Sequence, residues 1–491
     1  MKAKGAENRA LRLKAGDFEG LTFRIRKNVA TAAEQIRTRG EYFSSLLEPM
    51  GEVYSFKGNN SLSRDKLNYD AGSVKNIHYG DIHTKFSTHF VITRELVPFI
   101  NEAEECVIRD ENLCTEGDMI FADASEDMAD IGKAIEITHL NGERVVSGLH
   151  TILARRTGER IALGFGGHLF KSGWVRTQIQ KEAQGAKVLG ISPKRLRNVQ
   201  LPLPNDSAEQ QKIADCLSAV DELIAAQARK VDALKTHKKG LTQQLFPREG
   251  ETQPRLRFPE FRNAREWEIT TVGGLVEAGW LFPPKDGNHG NIHPKSSDYV
   301  ASGIPFIMAS DLKGGLIDIK NCHFISKNQA DKLQKGFAKE GDVLLSHKGT
   351  VGEVAVVRKI NTPYLMLTPQ VTYYRVKDQQ RLLNEFIAQL FVADEFQANL
   401  LEVSGGGTRA YIGITEQAKL RLQLPKDIEE QQRIANCLTT LDAFINAATQ
   451  EVETLKTHKK GLMQQLFPSV EAGEGGHAVA FCTCFQWSSI G

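Results

Sequence analysis

Residues 234–247, LKTHKKGLTQQLFP, return at 455–468 as LKTHKKGLMQQLFP. With Glu209 set against Glu430 the match runs without a gap to Pro247 and Pro468, and 24 of its 39 positions are identical. Agreement of that length marks an internal duplication. Each copy also reads as one long helix. Asp206 with Glu209, and Asp427 with Glu430, give the D-x-x-E pattern of a capped start. Pro247 and Pro468 stop the far end. Apolar residues between them step by three and four. They are Ile213, Leu217, Val220, Ile224, Val231, Leu234, Leu241 and Leu245, then Ile434, Leu438, Leu441, Ile445, Ala448, Val452, Leu455, Leu462 and Leu466. A seam held for about five heptads predicts a coiled coil, with rods roughly 55–60 Å long.

Two such rods in one chain pack most simply on each other, antiparallel if a pseudo-two-fold axis relates the halves. The alternative is that each lies on its own domain or on a partner protein. Gln227, Lys238 and Lys459 interrupt the seam. Polar residues there either fix the register or, for the lysines, snorkel to water near the helix end. Gly240 and Gly461 cost about 1 kcal/mol each relative to Ala inside a helix, which predicts close helix approach or a local break.

At 491 residues the chain exceeds one ordinary core. The expected division is an N-terminal extension (1–41), a globular domain (42–205), the first long helix (206–247), a linker (248–264), a second globular domain (265–426), the second long helix (427–468) and an unstructured tail (469–491). The two globular segments share an order of signals. Each has a Gly-Asp opening an apolar strand, EGDMIFAD (116–123) and EGDVLLSH (340–347). IGKAIEI (131–137) and VGEVAVV (351–357) predict a second strand, VVSGLHTILAR (145–155) and MLTPQVTYYRV (366–376) a third. Both segments leave through Gln-Leu-Pro. Mixed strands and short helices predict an α/β (mixed α+β) class.

Several classes are excluded by what the residues lack. A net charge of +2 is too small for a protein that holds a polyanion by charge alone, so nucleic-acid binding must be local or shared. Cys482 and Cys484 form a lone CxC, and the scattered His78, His83, His289, His293 and His347 are not set at metal spacing, so no metal is expected. No apolar run reaches bilayer length, and a cytoplasmic protein without membrane contact is expected. There is no Asn/Asp-Pro-Pro-aromatic loop for adenine methylation and no G-x-x-x-x-G-K-[ST]. LGFGGH (163–168) lacks the strand–turn–helix setting of a cofactor loop. No catalytic residue is expected.

In combination, SDYVASGIPFIMASDL (297–312), EGDVLLSHKGTVGEVAVV (340–357), SGGGTRAYIGIT (404–415), LPKDIEEQQRIANCL (424–438), VSGLHTILAR (146–155), LPNDSAEQQKIADCL (203–217) and PRLRFPEFRNAREWE (254–268) resemble the specificity (S) subunits of type I restriction–modification complexes. The resemblance covers about 42–468. It implies two target recognition domains, each reading half of a bipartite double-stranded DNA site. It implies paired antiparallel helices that set the spacing and dock two methyltransferase (M) subunits, with motor–nuclease (R) subunits completing the complex. S-adenosylmethionine, ATP and magnesium would belong to those partners, and this chain would be non-catalytic. The alternative reading is a coiled-coil protein-interaction scaffold without DNA selectivity.

Base reading needs polar side chains on loops that reach groove edges. The first domain offers Lys57, Asn59, Asn60, Arg64 and Lys66, then His78 and Lys85. The second offers Lys285, Asn288, His289 and Lys295, then His347, Lys348 and Thr350, and Thr408, Arg409 and Tyr411 after a Gly-rich turn. The lysines 235, 238 and 239 and their copies 456, 459 and 460 either touch DNA backbone or form a solvated helix face.

Overall fold

The computed structural model describes residues 46–404 and 411–467; the extension 1–41, the tail 469–491, Thr408 and Arg409 lie outside these. Two compact units form. One comprises the described residues up to Gln227 together with those from Glu451 onward, and the other is Ala228–Gln450.

In the first unit a five-stranded sheet runs Tyr54–Lys57, Thr151–Arg156, Met119–Ala122, Ala134–His139, His89–Val91. In the second, a four-stranded sheet runs Lys285–Asp286, Val371–Tyr374, Val343–Ser346, Val354–Val356. The three shared strand signals therefore occupy the same successive sheet positions in both units. Met119–Ala122 and Val343–Ser346 are buried at every residue, as expected for strands covered on both faces.

The Gly-Asp ahead of each strand has a common purpose. Gly117 and Gly341 adopt φ of 92° and 87°, a left-handed turn that favours glycine. The turn folds the next carboxylate inward. Asp118 accepts the Thr115 N–H at 2.8 Å and Arg155 Nη2 at 2.9 Å. Asp342 accepts the Lys339 N–H at 2.7 Å and Arg375 Nη2 at 2.7 Å. Arg155 lies in Thr151–Arg156 and Arg375 one residue past Val371–Tyr374, so an ion pair to a buried carboxylate ties the same two strands in each unit.

The third strand corrects the sequence expectation. VVSGLHTILAR is two strands, Val145–Ser147 and Thr151–Arg156, in different sheets. MLTPQVTYYRV likewise divides into Leu365–Leu367 and Val371–Tyr374. A Cβ at Gly148 would lie 2.5 Å from Asn76 Nδ2, and His150 has φ of 55°, so the first run turns there. Pro369 lies in a turn closed by the Val371 N–H on the Thr368 carbonyl at 3.2 Å, where its fixed φ is suited and a ladder donor is not needed. Each domain also closes on itself: the Gln-Leu-Pro strands Gln200–Leu203 and Arg421–Leu424 pair antiparallel with Leu46–Pro49 and Glu268–Thr271.

The rods are helices Ser207–Leu245 and Ile428–Leu466, 39 residues each. Asp206 and Asp427 cap them, accepting the Ala208 and Glu429 N–H groups at 2.9 Å. Glu430 does not complete the expected capping box: its carboxylate takes Arg257 Nε and Nη2, each at 2.7 Å. The next residues, Gln210 and Gln431, are fully buried and repeat one set of bonds. Gln210 donates to the Arg160 and Pro204 carbonyls and accepts the Ala162 N–H. Gln431 donates to the Arg381 and Pro425 carbonyls and accepts the Leu383 N–H. The first glutamine of the retained Glu-Gln-Gln thus fastens each rod to its domain.

Within each unit the rods run antiparallel. In the first unit Asp221 meets Lys459 at 2.6 Å and Gln227 meets Glu451 at 2.8 Å. In the second Lys238 meets Asp442 at 2.6 Å, and Leu245 shares a core with Ile434 and Leu438. The two lysines thus do not snorkel to water. They end on aspartates of the opposite rod, which turns them away from the basic face that Lys235, Lys239, Lys456 and Lys460 leave exposed. Every seam residue named above is buried or half-buried. The rod ends also enter domain cores: Ile213, Leu217, Leu462, Leu466 and Phe467 join the first, and Leu245, Phe246, Ile434 and Leu438 the second. Rod-on-rod and rod-on-domain packing, posed as alternatives, coexist.

Neither helix breaks at its glycine, and a Cβ on Gly240 or Gly461 meets nothing within 4 Å. Among the described residues the expected close approach or break is therefore absent. Gly240→Ala and Gly461→Ala are each expected to raise the unfolding free energy by about 1 kcal/mol, read as a higher midpoint in urea; a lower midpoint would show that the helix is strained there.

Candidate nucleic-acid interface

Three segments of the first unit are laced together by asparagines. Asn59 Nδ2 donates to the Thr151 carbonyl at 2.7 Å, and Asn60 Nδ2 donates to Asn76 Oδ1 at 2.7 Å and the Ser147 carbonyl at 3.0 Å. The loop after Lys57 is thereby tied to the turn between the divided strands. Arg64 and Lys85 converge on Asp81, at 3.2 and 2.9 Å. The Asp81 carboxylate is buried while both cations are about half exposed, so it fixes two cationic heads on the surface and leaves one net positive charge. His78 is buried, and its Nδ1 accepts the Gly80 N–H at 3.2 Å. Burial holds its pKa below the ordinary range, so the ring is neutral and positions the turn. Lys57 is exposed at a strand end, and Lys66 is turned onto Glu104 at 2.8 Å.

The structure adds residues that the sequence reading missed. Tyr79 lies between His78, His83 and His150, with ring centroids 4.7, 6.1 and 5.3 Å away. His150 is exposed and has left-handed φ, a conformation uncommon outside glycine and enriched at functional sites. Gly148-Leu-His150 between two apolar runs was the available signal. Tyr69, half exposed, lies 6.0 Å from Lys85 Nζ. Exposed cations beside aromatic rings suit phosphate contact and base stacking.

In the second unit Asp286 collects His289 Nε2 at 2.6 Å and Lys335. Burial raises the Asp286 carboxyl, but the hydrogen bonds from Lys335 and His289 outweigh it and hold its pKa below the ordinary value. Lys285 and His289 are exposed beside it. Asn288 differs from expectation: it is buried, donating to the Lys335 carbonyl at 2.6 Å and accepting the Gln334 N–H at 3.0 Å, so it shapes the loop and presents no edge to a groove. His347 is also fully buried, its Nδ1 at 2.8 Å from the Ile412 carbonyl, and burial depresses its pKa. Its neighbour Lys348 is exposed, with Nζ 5.7 Å from the ring of Tyr411, itself about half exposed. Thr350 and Lys295 are exposed, the latter on a separate turn.

The glycine-rich LGFGGH stretch is accounted for without a cofactor. The Gly164 and Gly167 N–H groups donate to the buried Glu136 carboxylate at 2.7 and 2.6 Å, so the amides that would cradle a phosphate are already taken. Among the described residues one trio has metal-ligand types close together: His89, His168 and Asp221. No described helix is long and apolar enough to cross a membrane.

Comparison with known proteins agrees with this arrangement. The chain is 23% identical over 292 residues to the type I restriction enzyme MjaVIII specificity subunit of Methanocaldococcus jannaschii, covering 59% of this chain and 66% of that one. It is 25% identical over 358 residues to the putative type I restriction enzyme MjaX specificity subunit of the same organism, covering 71% and 77%. Its fold matches the crystal structure of a type I restriction–modification system S subunit from M. genitalium with a TM-score of 0.57 at 13% identity, over 88% of this chain and 98% of that one. The family described as the type I restriction modification DNA specificity domain matches residues 169–236 and 264–457, more than half of the length, and the chain belongs to that family.

Proposed function

We propose that this chain is the non-catalytic specificity subunit of a type I restriction–modification complex. Domain 42–205 reads one half of a bipartite DNA site and domain 265–426 the other. The rods 206–247 and 427–468 set the spacing and dock two methyltransferase subunits, and motor–nuclease subunits complete the assembly. S-adenosylmethionine, ATP and magnesium are bound and used by those partners. One observation supports the reading: two domains that share three successive sheet strands and the same Asp–Arg pair present different polar surfaces, while the rods attached to them keep 24 of 39 aligned residues. A scaffold binding two equivalent partners has no need of unlike heads.

Deleting the coding sequence from its source genome is expected to remove methylation from one bipartite motif; a methylome unchanged by deletion contradicts the reading. Within the interface, Lys85 is assigned to DNA backbone, because its charge is fixed by Asp81 and exposed at the tip. Lys85→Ala, in the assembled complex, is expected to weaken binding to all sequences alike and to reduce the slope of log affinity against log salt by about 1. Salt titration of DNA binding checks it, and an unchanged slope removes Lys85 from the interface.

A further inference from the structure

We propose that His89, His168 and Asp221 form a binding site for a divalent transition-metal cation of the zinc type in the first unit. One ligand atom from each lies within 4.8 Å of the others. Donors on a tetrahedral zinc at its usual bond lengths of about 2.0–2.2 Å stand roughly 3.4 Å apart, so a small inward rotation of the side chains closes the site. Three separate elements supply the ligands: the strand His89–Val91, the short helix Phe165–Leu169 and the first rod.

The surroundings resemble a prepared ligand set rather than a chance meeting of side chains. His168 is fully buried, and its Nδ1 makes no hydrogen bond of good geometry, although the Ala214 carbonyl lies near the ring. Its Nε2 lies 3.1 Å from Ser218 Oγ. His89 Nε2 lies 2.8 Å from the Gly164 carbonyl. Metal-binding imidazoles characteristically hold their second nitrogen in such a bond, which fixes ring and tautomer. Two imidazoles and a carboxylate with a fourth position for water are a familiar zinc donor set.

A positive charge already stands at this place. Lys459 Nζ is 2.6 Å from both Asp221 oxygens, so a metal ion would displace the ammonium, whose long side chain can swing to water. The repeat supplies a control. In the second unit the corresponding pair, Lys238 and Asp442, has Gln389 Nε2 on Asp442 at 2.9 Å in place of imidazoles. An amide offers a poor zinc ligand, so the site belongs to one unit only. Its effect there would be to fasten the recognition domain to the rod.

Cobalt(II) titration of the full chain tests this, with zinc competition. The expected result is one ion per chain with the visible absorption of four-coordinate cobalt, and without the thiolate charge-transfer band that Cys482 or Cys484 would give. Asp221→Asn is expected to weaken binding by at least about tenfold, Asp442→Asn to leave it unchanged, and Lys459→Gln to strengthen it. Both Asp221→Asn and Lys459→Gln break the same ion pair, so their opposite effects separate ligation from folding. Absence of uptake by the wild-type chain, equal affinity in Asp221→Asn, or weakening in Lys459→Gln overturns the site.

Discussion

Glu430→Ala is expected to lower the unfolding free energy of the second unit by about 3–5 kcal/mol. Glu430 and Arg257 are almost wholly buried, their side chains 1% and 7% exposed. They meet through two parallel bonds of 2.7 Å, the bidentate form that is strongest and most specific in geometry. Removing the carboxylate leaves a guanidinium in the interior with only the Ala264 and Arg265 carbonyls as acceptors, at 2.9 and 3.0 Å. Trp267 Nε1 also loses its acceptor at 3.4 Å. The pair joins the segment ahead of the second domain to the first turn of the second rod, so the loss reaches both. Urea unfolding followed by tryptophan fluorescence measures it. A loss under about 1 kcal/mol would contradict the assignment, because an uncompensated buried charge cannot be that cheap. The double replacement Arg257→Met with Glu430→Leu should be milder than Glu430→Ala, since it removes both charges together.

Asp118→Ala and Asp342→Ala are each expected to cost about 3 kcal/mol or more, and each within its own unit. The carboxylates are 1% and 2% exposed, and their arginines 23% and 29%. Each also caps the turn leading into the strand that follows it, Met119–Ala122 or Val343–Ser346, so its loss frees a backbone N–H as well as an arginine. Hydrogen exchange resolves the two units: Asp118→Ala should speed exchange in Met119–Ala122 and Thr151–Arg156 and leave Val343–Ser346 protected, with the reverse for Asp342→Ala. Equal acceleration in both units from either change would contradict independent domain cores.

Both expectations rest on residues whose pattern, but not whose purpose, could be read in the sequence. The rods were legible because helix periodicity and a terminal proline are local signals. The three strand signals were legible because Gly-Asp ahead of an apolar run repeats in both halves. The division of the third strand was not, since Gly148 and Pro369 break it through contacts and a turn that only the assembled domain contains. Glu430 looked like a capping-box residue because its partner, Arg257, lies far away in sequence. Among interface candidates the difficulty is general: a loop asparagine that holds its own loop reads like one that faces a groove. Asn60, His78, Asn288 and His347 are buried or half-buried and make hydrogen bonds inside their own domains, while Arg64, Lys85, His289, Lys348 and Tyr411 stand at the surface. His89, His168 and Asp221 come from distant stretches, and no spacing rule could have joined them.

The proposed function requires two separable reading heads on rods that share 24 of 39 aligned residues. Exchanging residues 42–205 for the equivalent domain of another specificity subunit, and mapping the methylated motif of the reconstituted complex, tests it most directly. The prediction is that one half-site changes while the other half and the spacer length stay as they were. A change in both half-sites, or in the spacer, would contradict it.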